Sequence, residues 1–251
     1  MNAAPPALWG TPRRFVPRPV GLDQFPSLLR ETAALVRAAP GRLCALFLLV
    51  FLPVQILPGV PYIGMPLRET LASIGFAGFF VALEVVRQGR RPTLLDMAYS
   101  WRLPGDKLIL LVASGLLPLL AVLLVWWLDI GATELDAYLS GHAPEGSLPV
   151  RQQLEFVLVF NLVGMPLLFI QPLSVLCSWS ATRTLSANLL VWIANWRWAL
   201  IITLVLIPVA IGLESFDPAS ALEVALSLIS EVAVEIGLSA FTLVLLQRTL
   251  Q

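Results

Sequence analysis

Histidine occurs once in this 251-residue chain, at His142, and cysteine twice, at Cys44 and Cys177. A haem held by two histidines, a histidine-rich zinc site and a Ser-His-Asp triad inside a bilayer therefore all lack a ligand or a base. Two cysteines exclude a disulfide-framed mini-protein. Charge is scarce too. Asp, Glu, Lys and Arg make up 13% of the residues, against about 25% in a soluble domain. What is abundant is hydrophobicity, at 58% before glycine is counted and with a mean hydropathy of +0.84. Such a chain cannot cover a soluble surface with polar groups, and it is far too apolar to stay disordered.

A membrane-spanning helix needs about 20 mostly apolar residues. Six segments qualify, some with proline interruptions: Leu43–Val60, Leu67–Val86, Leu108–Leu128, Leu154–Leu176, Trp198–Leu213 and Ala225–Leu246. The expected fold is all-α, a polytopic membrane protein of six spanning helices. Residues 1–21 read as a flexible cytoplasmic arm, with five prolines in its first 19 positions and Arg13, Arg14 and Arg18; residues 22–251 read as one transmembrane domain. Basic residues favour the cytoplasmic side. With the N-terminus inside, 14 of the 16 basic residues fall there, leaving Arg68 and Arg151 outside. The outer connections carry Asp129, Glu134, Asp136, Glu145, Glu214 and Asp217. The expected location is a bacterial inner membrane, with both termini cytoplasmic. Zero net charge is then the sum of two opposite faces. Trp126 and Trp127 are expected in the outer aromatic belt.

Three stretches are amphipathic. Phe25, Leu28, Leu29, Leu35, Val36 and Ala39 recur at helical spacing; Pro92-Thr-Leu-Leu-Asp-Met-Ala-Tyr-Ser-Trp carries a helix start after its proline; Ser178–Trp196 holds three tryptophans. Each precedes a spanning segment on the cytoplasmic side and is expected to anchor in the interface. The chain also repeats itself. Aligning Arg42 with Arg197 yields eight identities over Val36–Ile56, including Pro53 with Pro208. The following helices align Glu69, Ile74, Gly75, Phe79 and Leu83 with Glu231, Ile236, Gly237, Phe241 and Leu245. A weaker third copy places Lys107 eleven residues before Pro118, as Arg42 is before Pro53, with Glu155 at the Glu69 position. The unit is an interfacial helix, a proline-kinked rising helix and a returning helix, repeated in parallel about an axis near the membrane normal.

The Leu57-Pro-Gly-Val-Pro-Tyr-Ile-Gly turn, the Gly75-Phe-Ala-Gly helix, the Gly89-Arg-Arg-Pro-Thr loop and Asn195-Trp-Arg-Trp opening a helix carry a resemblance. From Leu22 onward the chain resembles an uncharacterised bacterial family of six-pass inner-membrane proteins. That family is distantly similar to the membrane domain of some glycerophosphodiester phosphodiesterases. The resemblance implies the six-pass topology. It implies no phosphodiesterase activity, since the chain has no such domain, and it brings no catalytic residues.

Ionisable residues at membrane depth are costly and mark functional candidates. Glu231 and Glu235 stand one helical turn apart, and Glu235 lies thirteen residues from Arg248, roughly 20 Å along a helix. Two such carboxylates resist double ionisation, which a shared proton or an ion pair with Arg68 would relieve. Arg68 and Glu69 complete the candidate polar site. Glu84 is expected to pair with Arg87 or Arg91, and Gln55, Asn161 and Gln171 to bond between helices. In Met165-Pro-Leu-Leu-Phe-Ile-Gln-Pro, two prolines should break or bend the fourth helix. Gly75, Gly78 and Ala82, and likewise Ala233, Gly237 and Ala240, form small-residue faces for close helix packing.

No His-Glu-x-x-His, P-loop, Gly-x-Ser-x-Gly or dinucleotide fingerprint occurs. No enzyme, cofactor or metal site is expected, and no nucleic-acid partner. The sequence favours a scaffold, assembly factor or accessory subunit working through its helix faces, in contact with lipid and another membrane protein. The rival is a small proton- or cation-coupled transporter built on Glu231, Glu235, Glu69 and Arg68. Topology is directly testable. Alkaline phosphatase inserted between residues 141 and 149 should be active, and a fluorescent protein fused after Gln251 should fluoresce; the reverse pattern would overturn the orientation.

Overall fold

The computed structural model describes residues 16–140, 150–214 and 221–250, so Arg13, Arg14, His142, Glu145 and Asp217 lie outside it. The described residues form ten helices: α1 Phe25–Ala38, α2 Pro40–Gln55, α3 Gly64–Arg87, α4 Leu94–Met97, α5 Gly105–Leu139, α6 Val150–Gly164, α7 Ile170–Leu176, α8 Ala181–Ala194, α9 Trp196–Glu214 and α10 Ala221–Leu250. Five stretches are long and apolar enough to cross a membrane: Pro40–Gly59, Gly64–Arg87, Gly105–Leu139, Leu154–Leu176 and Leu228–Leu250. A sixth is counted if α8 and the following Trp196–Val205, bent by 83° at their junction, are taken as one. The described residues are all-helical, with five or six stretches long and apolar enough to span a membrane. In hydrocarbon, helices are what satisfies the backbone within a single segment.

Helix α3 is the hub. It packs against α2, α5, α7 and α10, and from Gly78 to Val86 every side chain is buried. Small residues permit this. A Cβ on Gly75 would collide with the Val50 side chain of α2, and one on Gly78 with the Met97 carbonyl. On α5, a Cβ on Gly115 would stand 2.6 Å from the Glu69 carbonyl oxygen. Ala82 is fully buried.

The amphipathic stretches become α1, α4 with the 3-10 turn Ala98–Arg102, and α8. Thr93 starts α4 with a reciprocal capping box, its backbone N–H donating to Asp96 Oδ2 at 2.8 Å. Helix α1 buries Leu28, Thr32 and Leu35, while Phe25 and Leu29 stay exposed. It packs on α10, where Arg248 pairs with Glu31. The turn after Met97 packs on α3, and α8 on α7.

One expectation changes. Helix α5 runs past Leu128 and turns at Gly131, whose φ of +84° suits glycine. The returning segment brings Tyr138 edge-on to Trp126 at 5.6 Å. Trp126 is therefore fully buried rather than in an aromatic belt, while Trp127 is half exposed. The predicted break in the fourth span is present between α6 and α7, but its repair was not foreseen. Asn188 of α8 accepts from the Phe169 N–H at 3.1 Å and donates to the Pro166 carbonyl at 2.6 Å. One buried amide thus partners two backbone groups at the break. Asn188→Ala should cost about 1–3 kcal/mol, read as a lowered Tm of the detergent-solubilised protein, whereas Leu189→Ala at an exposed neighbouring position should change Tm little.

Candidate intramembrane site

The charged residues named from sequence meet in space. Arg68 and Glu69, in the second turn of α3, and Glu231 and Glu235, on α10, all line one cavity of about 190 Å³. A neighbouring cavity of about 410 Å³ shares Arg68, Glu231 and Glu235, together with Phe76, Phe156 and Phe160. The charged cluster therefore stands where the two spaces adjoin. Four helices surround it: α3 and α10 supply the charges, and α2, α3 and α6 the rings.

Local packing explains the aim of these side chains. Gly115 lets α5 press against the α3 backbone at Glu69. One turn on, the Ser73 hydroxyl donates to the Leu111 carbonyl at 2.7 Å. With that face of α3 closed, Glu69 lines the cavity on another. Arg68 Nη1 lies 3.6 Å from Glu69 Oε1, with the two side chains 32% and 14% exposed. Arg68 also attracts Glu231 and Glu235, which repel one another. Three carboxylates thus share one guanidinium in a partly desolvated space, where charge interactions are stronger than in water.

Aromatic rings form the walls. Phe47 contacts Phe51, Phe76 and Phe79 at centroid distances of 5.3, 5.5 and 5.4 Å. Phe156 and Phe160 stack at 5.5 Å. Sequence reasoning passed over these rings. Their signal was present, because Phe47/Phe51, Phe76/Phe80 and Phe156/Phe160 are i, i+4 pairs on helices beside the glutamates.

The amides divide. Gln171 donates from α7 to Ser73 Oγ of α3 at 3.4 Å, whereas Asn161 turns back to Val157 of its own helix at 2.8 Å. Gln55 lines the smaller cavity. Glu155, aligned with Glu69 and Glu231, lies elsewhere, in an ion pair with Arg151 at 2.9 Å. On α10 the small-residue face is split. Ala240 is fully buried, but Ala233 is exposed and Gly237 has open space beside it.

At the opposite end of α3 a second polar cluster closes on itself. Glu84, fully buried, takes Arg87 Nη2 at 2.6 Å, Gln88 at 3.1 Å and Gln247 of α10 at 3.1 Å. Lys107, read from sequence as a flanking charge, is buried and donates to the Ser174 and Cys177 carbonyls at 2.8 and 2.6 Å, capping α7. Burial pushes the Cys177 thiol up to about 12, keeping it protonated. Cys44 and Cys177 are both free thiols.

Compared with protein-family models, curated proteins and solved structures, the chain matches none. Arg68→Met should lower stability by about 1–2 kcal/mol by removing the cation from among three carboxylates. Adding Glu235→Gln should restore part of that loss. Strictly additive changes in Tm would show that the two residues do not share a field.

Proposed function

We propose that this protein binds a proton or cation within the membrane and moves it as a small transporter, without bond-breaking chemistry. One observation carries the reading: Arg68 and Glu69, and more than 160 positions later Glu231 and Glu235, line a single cavity among the spanning helices. Evolving three carboxylates at membrane depth is costly. A packing role calls for each to be neutralised by a neighbour, as Glu84 is. Here the carboxylates outnumber the guanidinium, which suits a positively charged occupant.

The arrangement of helices supports an internal repeat of three units around one axis. The units are α1–α2–α3, α4–α5–α6/α7 and α8–α9–α10. The first element of each packs on the last helix of the unit before it: α4 on α3, α8 on α7, and α1 on α10. The first spanning helix does the same, α5 on α3, α9 on α6 and α2 on α10. In this reading the cavity sits between units, where Glu69 and Glu231 are equivalent residues. Repeat interfaces are common sites for substrate in transporters. With the basic residues inward, the cavity lies toward the outer leaflet of a bacterial inner membrane and both termini are cytoplasmic. That topology is the one the six-pass resemblance implies.

The scaffold or accessory-subunit reading keeps one observation of its own, the open ground beside Gly237 and Ala233 on α10, where another helix could approach closely. Liposome flux separates the two. Reconstituted protein should dissipate an imposed proton or cation gradient, and Glu231→Gln with Glu235→Gln should reduce the rate to that of protein-free vesicles at unchanged Tm. Equal flux in wild type and variant would refute transport, and a defined foreign subunit in native mass spectra would then support the subunit reading.

A further inference from the structure

We propose that the ligand is a lipophilic organic cation, an ammonium or phosphonium centre on an apolar body, seated between Glu231 and Glu235 with that body against Phe76, Phe156 and Phe160. This deepens the reading of the cavity as a cation site and rests on it. Two independent features select the class. First, a hard divalent ion takes about six to eight oxygen ligands at up to about 2.6 Å, or six near 2.1 Å for a smaller one. Among the described residues no group of three or more Asp, Glu, His or Cys side chains is gathered closely enough to hold a metal ion. The three carboxylates line the same space without gathering into such a group, which suits a charge that is spread or bulky.

Second, the space is larger and less polar than a bare ion needs. The wider cavity measures about 410 Å³ and adjoins the one of about 190 Å³ at the charged cluster. The stacked pair Phe156 and Phe160 of α6 lines the same cavity as that cluster. Aromatic faces attract cations, most strongly where water is scarce, and best those whose alkyl or aryl groups also fill the walls. A proton would use the carboxylates and leave the rings without a role. An apolar neutral molecule would use the rings and leave the carboxylates uncompensated. An organic cation uses both.

The probe is tetraphenylphosphonium, with tetraphenylborate as a partner of matching shape and opposite charge, each titrated onto the full chain in lipid nanodiscs. Saturable binding of the phosphonium and none of the borate is expected. Glu231→Gln with Glu235→Gln should weaken it at least about tenfold, and Phe156→Ala roughly threefold to tenfold. A Tm within a degree or two of wild type shows that each variant is folded; should Phe156→Ala fail that test, Phe156→Leu takes its place. Equal binding of both probes, or phosphonium binding unchanged in the glutamate variant, would overturn the proposal. If sodium or a proton binds through Glu231 and Glu235 but the phosphonium does not, the organic-cation inference falls while the carboxylate site stands. If nothing binds through those residues, both fall.

Discussion

The distance at which helices can approach α3 governs the rest of the molecule. Where Gly75 and Gly78 remove a side chain, the Val50 side chain of α2 and the Met97 carbonyl come against the helix itself. Where Gly115 does the same from α5, the carbonyl of Glu69 is covered. In a lipid setting apolar side chains gain little by leaving hydrocarbon for protein, so association depends on close contact and on polar bonds between helices. Both are concentrated on α3. Its buried middle holds the neighbours, and its two ends carry polar clusters of opposite character.

That opposition is informative. Fifteen residues separate Glu69 from Glu84, about 22 Å of helix. At Glu84 every demand of the carboxylate is met, by Arg87, Gln88 and Gln247, and the side chain is fully buried. At Glu69 the surroundings are an open cavity, one guanidinium and two more carboxylates. The first is how a structural charge is buried, with each carboxylate oxygen taken up in a hydrogen-bonded network. The second leaves space and unbalanced charge together, and it is this pairing that supports a binding role rather than a packing role.

Breaks in the spans are repaired from a distance. Asn188 partners the freed backbone at the α6–α7 break, and Lys107 caps the end of α7. Asn195 does similar work at the bend between α8 and α9: it accepts from Val20 N–H at 3.0 Å and donates to Thr249 Oγ1 at 3.0 Å. Trp198 adds a bond to the Val20 carbonyl at 2.8 Å. The chain's entry and its last helix are therefore tied to the same corner. Each of these polar residues lies in an element that looks unremarkable alone, and each acts on a segment far off in sequence.

Local information was enough for the all-helical class with helices of membrane-spanning length, for the approximate place of each apolar helix and for the proline break in the fourth span. Apolar run length, proline placement and capping residues act over a turn or two, and sequence displays them directly. It was also enough to single out Glu231, Glu235, Glu69 and Arg68, because a charge inside an apolar run stands out whatever its partners. What sequence could not supply was association. That Glu69 and Glu231 face one cavity while Glu155 pairs with Arg151 elsewhere, that Lys107 is buried, that Trp126 is covered by a turn at Gly131, and that Phe156 and Phe160 wall the site all depend on which helix faces meet. Those faces are chosen by steric fit and by hydrogen bonds between residues more than 200 positions apart, as between Arg248 and Glu31, and only the assembled bundle decides them.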